Sequence, residues 1–313
     1  MKALLAFAAT LTATQLAWSA QPLLTPQELQ PLLQQPAVRV IDIRDPKSFE
    51  LGHIAGAVNA PYGKWRGPAT NPGELPDQEK LVKLVQSLGL TPQTHAVVIS
   101  NGADATDFGA MARVYWTLKS LGLKELSVAN GGMKAWEAAG AQTTRDIAKI
   151  TPSNYAPTFD AQWLATRADV RQHLDLSNAA LVDSRPDAFY QGKTRAPAAK
   201  LSGTLPGAQQ LDFNQWFEPG TSQFVNTEKA QQIAAKIKRE SGKDMVAFCN
   251  TGHWAATDWF GLSEVAGLPS VKLYAGSMVD WTQSTDAPQM ANQPTRAESL
   301  AYDAQQWWKR TFK

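Results

Sequence analysis

The sequence predicts an α/β protein in which one domain is written twice, each copy a mostly parallel sheet flanked by helices. Three observations lead there. The chain has 313 residues, about two domains at roughly 150 residues each, and enough to bury a substantial core without disulfide staples. It also repeats itself, because Gly122-Leu-Lys-Glu-Leu-Ser-Val-Ala-Asn-Gly131-Gly-Met133-Lys-Ala-Trp136 aligns without a gap on Gly267-Leu-Pro-Ser-Val-Lys-Leu-Tyr-Ala-Gly276-Ser-Met278-Val-Asp-Trp281. Gly, Leu, Gly, Met and Trp fall in one register, the mark of a duplicated unit. Finally, short continuous apolar runs at 96–99 and 246–248 alternate with stretches of helical length, as expected for parallel strands buried on both faces and joined by crossover helices.

The elements follow in order. Residues 1–20 begin with Lys2, continue through Ala, Leu, Phe and Thr without another charge, and end in Ala17-Trp18-Ser19-Ala20. They read as a cleavable secretory signal, since the apolar core is shorter than the ~20 residues a spanning helix needs. No other stretch reaches 18 apolar residues, so no membrane span is expected, and the protein is expected to be periplasmic or secreted. The first domain, 21–145, contains the strand Val40-Ile-Asp42-Ile-Arg44, a helix over 78–88, the strand 96–99 and a helix over 108–120. Residues 146–158, part of a stretch with Pro, Ser and Asn, form the linker. The second domain, 159–290, repeats the order with Leu181-Val-Asp183-Ser-Arg185, a helix over 228–240, the strand 246–248 and a helix over 258–265. The tail, 291–313, carries a helix over 297–309 whose Leu300, Trp307 and Trp308 are expected to dock on the body.

Composition narrows the function. Thirty Lys and Arg against 28 Asp and Glu give a formal charge of +2. No run of five like charges occurs, so a nucleic-acid partner is not suggested. There is one cysteine, Cys249. In an oxidising compartment a lone thiol cannot form an internal disulfide, so it is either buried and inert or kept for its reactivity. One Cys and four His, with only His253 near Cys249, form no ligand-spaced cluster, so neither metal nor cofactor is implied.

The residues are then specific enough to resemble a family. Phe49-Glu-Leu-Gly-His53-Ile-Ala-Gly56-Ala57-Val-Asn-Ala-Pro61 after Asp42-Ile-Arg44 resembles the N-terminal signature of rhodanese domains. Gly203-Thr-Leu-Pro-Gly207-Ala208 is similar to a degenerate second copy with Thr204 where the family usually has His, and Gly131 to Trp136 resembles the signature before the last helix. The chain thus resembles tandem-domain rhodaneses, the thiosulfate and 3-mercaptopyruvate sulfurtransferases, of an exported bacterial type. That resemblance implies a working cysteine only in the second copy, at Cys249, with Ser100 at the equivalent place in the first, structural copy. It further implies a small-molecule sulfur donor, a thiophilic acceptor such as cyanide or a thiol, and an unidentified physiological acceptor.

The local chemistry agrees. A strand ends at Phe248, Cys249 follows, and Asn250-Thr251-Gly252-His253-Trp254 makes a short loop into a helix. Successive backbone amides in a curled loop, with the positive end of a helix, form an anion site. Such a site lowers a cysteine from its free pKa of about 8.5 into a range of roughly 3.5 to 7.5. Arg185 matches the family position expected to grip the anionic donor; the alternative is an ion pair with Asp183 or Asp187. His253 either polarises a donor or acts as an acid, or makes a structural hydrogen bond. Trp254 is expected to form a pocket wall, and His53 is structural. Asn250 and Thr251 stand where thiosulfate-type loops carry basic residues, and Cys-x-Thr-Gly is nearer to mercaptopyruvate-type loops, so the donor stays open. Two other classes are weighed: a non-catalytic sulfur carrier or binding module, and a Cys-dependent phosphatase or arsenate reductase. The latter is disfavoured because Ala255 and Ala256 follow Trp254 where a clamping Arg is needed.

Overall fold

The computed structural model describes residues 20–311 except 241 and 287; the leader expected over residues 1–20 lies almost wholly outside them. The first copy runs β1 (Leu23–Leu24), α1 (Pro26–Leu32), β2 (Val38–Asp42), α2 (Pro46–Leu51), β3 (Val58–Asn59), α3 (Gln78–Ser87), β4 (His95–Ile99), α4 (Ala105–Ser120), β5 (Leu126–Ala129) and α5 (Gly132–Ala138). The second runs α6 (Arg167–Leu176), β6 (Ala179–Asp183), α7 (Asp187–Tyr190), β7 (Gln209–Gln210), α8 (Thr227–Ala234), β8 (Asp244–Phe248), α9 (Trp254–Trp259), β9 (Val271–Leu273) and α10 (Ser277–Thr282), before the tail helix α11 (Arg296–Thr311).

Every strand pairing within the two sheets is parallel, in the orders β1-β5-β4-β2-β3 and β7-β6-β8-β9. The sheets superpose element for element apart from β1, whose place is kept by a single parallel bridge from Leu164 to Leu273. The central register is the same in both: Asp42 pairs with Ile99 and Asp183 with Phe248. The residues after Ile99 and Phe248, Ser100 and Cys249, therefore leave their sheets at equivalent points. Helix starts follow local chemistry, with Thr25 and Glu28 capping α1 reciprocally and Thr166 and Asp169 doing the same for α6.

The two copies share a core. α4 is buried around most of its circumference, which marks a helix enclosed on all sides rather than one facing water. Phe108 on α4 packs against Phe217, Phe224 and Phe260 of the second copy at ring separations of 5.4, 4.8 and 5.5 Å. Tyr115 donates to Glu264 at 2.8 Å and Lys119 pairs with the same carboxylate at 2.7 Å. Residues 145–160 carry no regular structure and lie along the first copy, where Ser153 N–H donates to the Gln86 carbonyl and Tyr155 Oη to the Leu121 carbonyl.

Two expectations need correction. The helix expected to reach residue 240 stops at Ala234, because the Gln209 side chain captures both backbone groups of Lys238, at 2.8 and 2.7 Å. Leu300, Trp307 and Trp308 are not covered as expected; they are 71, 57 and 60% exposed. α11 is held instead by Tyr302, which lies under the Arg195 guanidinium, and by an Arg195–Asp303 ion pair of 2.6 Å. Tyr302 sits about 200° around the helix from Leu300, so docking through it turns the apolar face outward. Among the described residues no helix is long and apolar enough to cross a membrane.

Candidate active site

Cys249 is 1% exposed at the end of β8. Its amide and that of Gly252 both donate to Ser277 Oγ at 3.0 Å, and Ser277 passes its own proton to the Tyr274 carbonyl at 2.7 Å. The first amides of α10 close the other side, Met278 N–H to the Cys249 carbonyl and Val279 N–H to the Asn250 carbonyl, each at 3.0 Å. Gly252 adopts a φ of 65°, and a Cβ there would come 2.3 Å from the Ala275 carbonyl oxygen, so only glycine fits the curl. Ser277 occupies the same left-handed region at 54°, where the first copy has Gly132 at 61°. That strained backbone places its hydroxyl between the two loop amides. Among the described residues the amides of Asn250, Thr251, His253, Trp254 and Ala255 find no acceptor. A curled loop of free amides opening a helix is a nest for an anion.

The loop after Ser100 has the same clamp, Met133 N–H to the Ser100 carbonyl and Lys134 N–H to the Asn101 carbonyl, but a different content. Asp107 Oδ2 accepts from Ser100 Oγ at 2.8 Å and from the amides of Gly102 and Ala103 at 2.5 and 3.3 Å. The first copy fills its own nest. Asp258, its counterpart in the shared Ala-Thr-Asp-aromatic string, instead accepts from Trp216 Nε1 at 2.8 Å, and its other oxygen has no partner. Burial pushes that carboxyl well above the usual carboxylate range.

The first copy also reaches into the second. A cavity of about 410 Å3 at Cys249 is lined by Asn250, Thr251, His253 and Trp254, and across the cleft by Tyr62, Arg66, Pro72 and Thr106. Arg66 donates to the Pro72 carbonyl at 2.6 Å, to the Thr251 carbonyl at 2.9 Å and to Tyr62 Oη. His253 Nε2 must donate to the Thr106 carbonyl at 2.7 Å, so its Nδ1 is the acceptor for Tyr62 Oη at 2.9 Å. Burial, then the Arg66 charge, lowers the His253 pKa to about 4. Arg113, fully buried on α4, donates to the Gly73 carbonyl at 2.9 Å and the Gly252 carbonyl at 3.4 Å. Burial, then Arg66, lowers its pKa to about 9, while Tyr62 and Cys249 act to raise it, so it stays cationic at neutral pH. Gly109 lets α4 approach this closely, since a Cβ there would meet the His253 carbonyl at 2.8 Å.

The structure therefore brings Cys249, Asn250, Thr251, Gly252, His253 and Trp254 together. Trp254 is a wall, stacked on Phe213 at 4.9 Å and edge-on to Phe189 at 5.7 Å. His253 has both nitrogens committed and is neutral, which fits the structural alternative and not an acid. Arg185 is the misplaced assignment. It is 2% exposed, clamps Asp183 at 2.8 and 2.6 Å, donates to the Gly203 carbonyl at 2.8 Å and reaches Asn250 Oδ1 at 3.4 Å. It does not line the cavity. Arg44 makes the same contacts to Asp42 and the Gly52 carbonyl in the copy without a cysteine, so the Asp-x-Arg pair is a strand-end brace. His53 is structural as read, buried and bonded to the Phe49 and Asp146 carbonyls. Tyr62, Arg66 and Arg113 were not foreseen. No motif flags them; the signal for Arg113 is a lone cation inside an otherwise apolar helical run.

Fold and site define a tandem α/β protein with one cysteine at the mouth of an anion nest. The model for the rhodanese-like domain matches residues 25–139 and 166–284, and the chain belongs to that family. It is similar to a probable 3-mercaptopyruvate sulfurtransferase of Pseudomonas aeruginosa, 30% identical over 86% of this chain and 98% of that one. A thiosulfate sulfurtransferase of the same organism is 28% identical over 84% and 94%. The crystal structure of SseA, a 3-mercaptopyruvate sulfotransferase of Escherichia coli, matches with a TM-score of 0.70 at 21% identity, over 82% of this chain and 99% of that one.

Proposed function

We propose that the protein is a sulfurtransferase that takes a sulfane sulfur from thiosulfate or 3-mercaptopyruvate onto Cys249 and passes it to a thiophilic acceptor such as cyanide or a thiol. The observation that carries this reading is the ring of free amides around the one cysteine, at the floor of an open cleft. The relatives named for both donors support it.

The Cys249 thiolate attacks the outer sulfur of thiosulfate; the new S–S bond forms as the bond to the sulfite sulfur breaks, and sulfite leaves with that electron pair. With mercaptopyruvate the C–S bond breaks instead, and the pyruvate enolate takes up the proton of the thiol. Either way the enzyme holds a Cys249 persulfide whose terminal S⁻ lies among the loop amides. Cyanide attacks that sulfur, leaves as thiocyanate and restores the thiolate. Splitting one transfer into two displacements is the use of a covalent nucleophile. Thiosulfate or mercaptopyruvate is expected to add about 32 Da at Cys249, the mass of one sulfur, and cyanide to remove it. No adduct with either donor would sink the enzyme reading, and transfer by Cys249→Ser would sink the residue assignment.

We also propose that the protein works outside the cytoplasm, on the strength of residues 1–20. Fractionation of cells, with N-terminal sequencing of the mature chain, tests this; an unprocessed cytoplasmic product overturns it.

A further inference from the structure

We propose that the anionic end of the sulfur donor is bound from the first domain, by Arg66 with Arg113 behind it, and that Arg66 sets the preference for anionic donors. The proposal rests on the sulfurtransferase reading and specifies which half of the chain recognises the substrate.

The loop after Cys249 supplies no charge. Its side chains are Asn250, Thr251, His253 and Trp254, with His253 neutral and Arg185 occupied by Asp183. Two arginines reach the cysteine loop from across the cleft, and neither has a carboxylate within ion-pair distance among the described residues. Arg66 gives three bonds to neutral oxygens. A guanidinium has five N–H groups, so one remains on each terminal nitrogen, the two positions from which a guanidinium forks onto an oxyanion or carboxylate. Arg113 has only two carbonyls, and its Nε has no partner at all.

Burying an unpaired charge costs several kcal/mol, and this fold elsewhere avoids it: buried Arg44 and Arg185 each clamp an aspartate. Among the described buried arginines Arg113 is the exception, and half-buried Arg66, likewise without a carboxylate, lines the cavity of the one cysteine. Their missing counter-charges are the sulfur anion on Cys249 and the anion that reacts with it. Arg66 also borders an outer groove of about 800 Å3 where Lys80 is paired with Asp77 and Lys83 with Glu79, so Arg66 and Lys64 are its cations without a carboxylate partner among the described residues.

The two half-reactions separate recognition from mere support of the loop. Loading of Cys249 by thiosulfate is followed by intact mass in the wild type, Arg66→Gln and Arg66→Lys; unloading of the persulfide by uncharged 2-mercaptoethanol is followed after exhaustive loading. Arg66→Gln is expected to lower kcat/KM for loading about 30-fold, mostly through KM, as the loss of one charged hydrogen-bond pair implies. Unloading should lose at least tenfold less than loading, and Arg66→Lys should recover part of the loading rate. Equal losses in both half-reactions, or no loss in either, would overturn the assignment while leaving the sulfurtransferase reading intact. A wild-type protein that takes no sulfur from thiosulfate or mercaptopyruvate overturns both.

Discussion

The loop after Ser100 and the loop after Cys249 leave equivalent strands, enter helices five residues later and are clamped by the same pair of amides from the following helix. They differ at the third helical position. In the first copy this is Asp107, which turns back and occupies the nest; in the second it is Ala256, which cannot. The aspartate of the second copy stands two residues further along, at Asp258. Two residues on a helix are a rotation of about 200°, so that carboxyl faces Trp216 and not the loop. Under the proposed function, the nucleophile is thus only half of what separates a working copy from a silent one. The other half is whether the protein supplies its own anion.

The most severe way to break this comparison is Ala256→Asp, which puts a carboxylate at the position of Asp107. Sulfur transfer should fall by about three orders of magnitude, as expected when a site built for one anion is held by another. Ala256 is buried, so Ala256→Asn is the control of matched bulk. It should keep at least tenfold more activity than the aspartate, and equal losses would refute self-occupation as the cause. The converse experiment opens the silent copy. Ser100→Cys alone should take up no second sulfur, whereas Ser100→Cys with Asp107→Ala should show a second mass increment of about 32 Da; identical behaviour of the two variants would mean Asp107 is not the plug.

A smaller effect concerns pH. Folding lowers the His253 pKa from 6.5 to about 4, so between these values the unfolded chain binds more protons than the folded one. The stability this residue contributes is complete above pH 6.5 and is lost as pH falls towards 4, by up to about 3 kcal/mol. Protonation also removes the lone pair that accepts from Tyr62. Thermal melts from pH 7 to 4 should fall more steeply for the wild type than for His253→Gln; parallel curves would contradict the assignment. Least costly is Ser277→Ala, which leaves the Cys249 and Gly252 amides without their shared acceptor. A loss of about 1–3 kcal/mol in stability is expected, read as the shift in urea midpoint at constant slope.

Much of the fold was legible because it rests on local signals. The continuous apolar strands, the repeated Gly-Leu-Gly-Met-Trp register and the placement of Cys249 at a strand end all survive in the structure. Its loop was legible too, since Gly252 marks a curl and a helix had to follow. What was not legible is whatever depends on the two copies facing each other. Tyr62 and Arg66 lie in a segment with no motif, and nothing local ties Arg113 to Gly252, which is 139 residues away in the chain. Of the two readings open for Arg185, the structure realises the ion pair with Asp183 and not the donor grip, and Arg44 repeats that Asp-x-Arg setting in a copy with no cysteine. Leu300, Trp307 and Trp308 were expected to be covered because they are apolar, but Tyr302 and Asp303 decide which face of α11 touches the body.

α4 carries one more consequence. Its side chains fill both copies at once: Phe108 sits among second-copy aromatics, and Arg113 props the loop that holds the nucleophile. A gene encoding only the second copy would make a protein with an open wall where α4 belongs and a cysteine loop with nothing against it. The silent half is therefore not a spare that deletion could trim away. The two copies form one unit in which both supply walls to the Cys249 cavity.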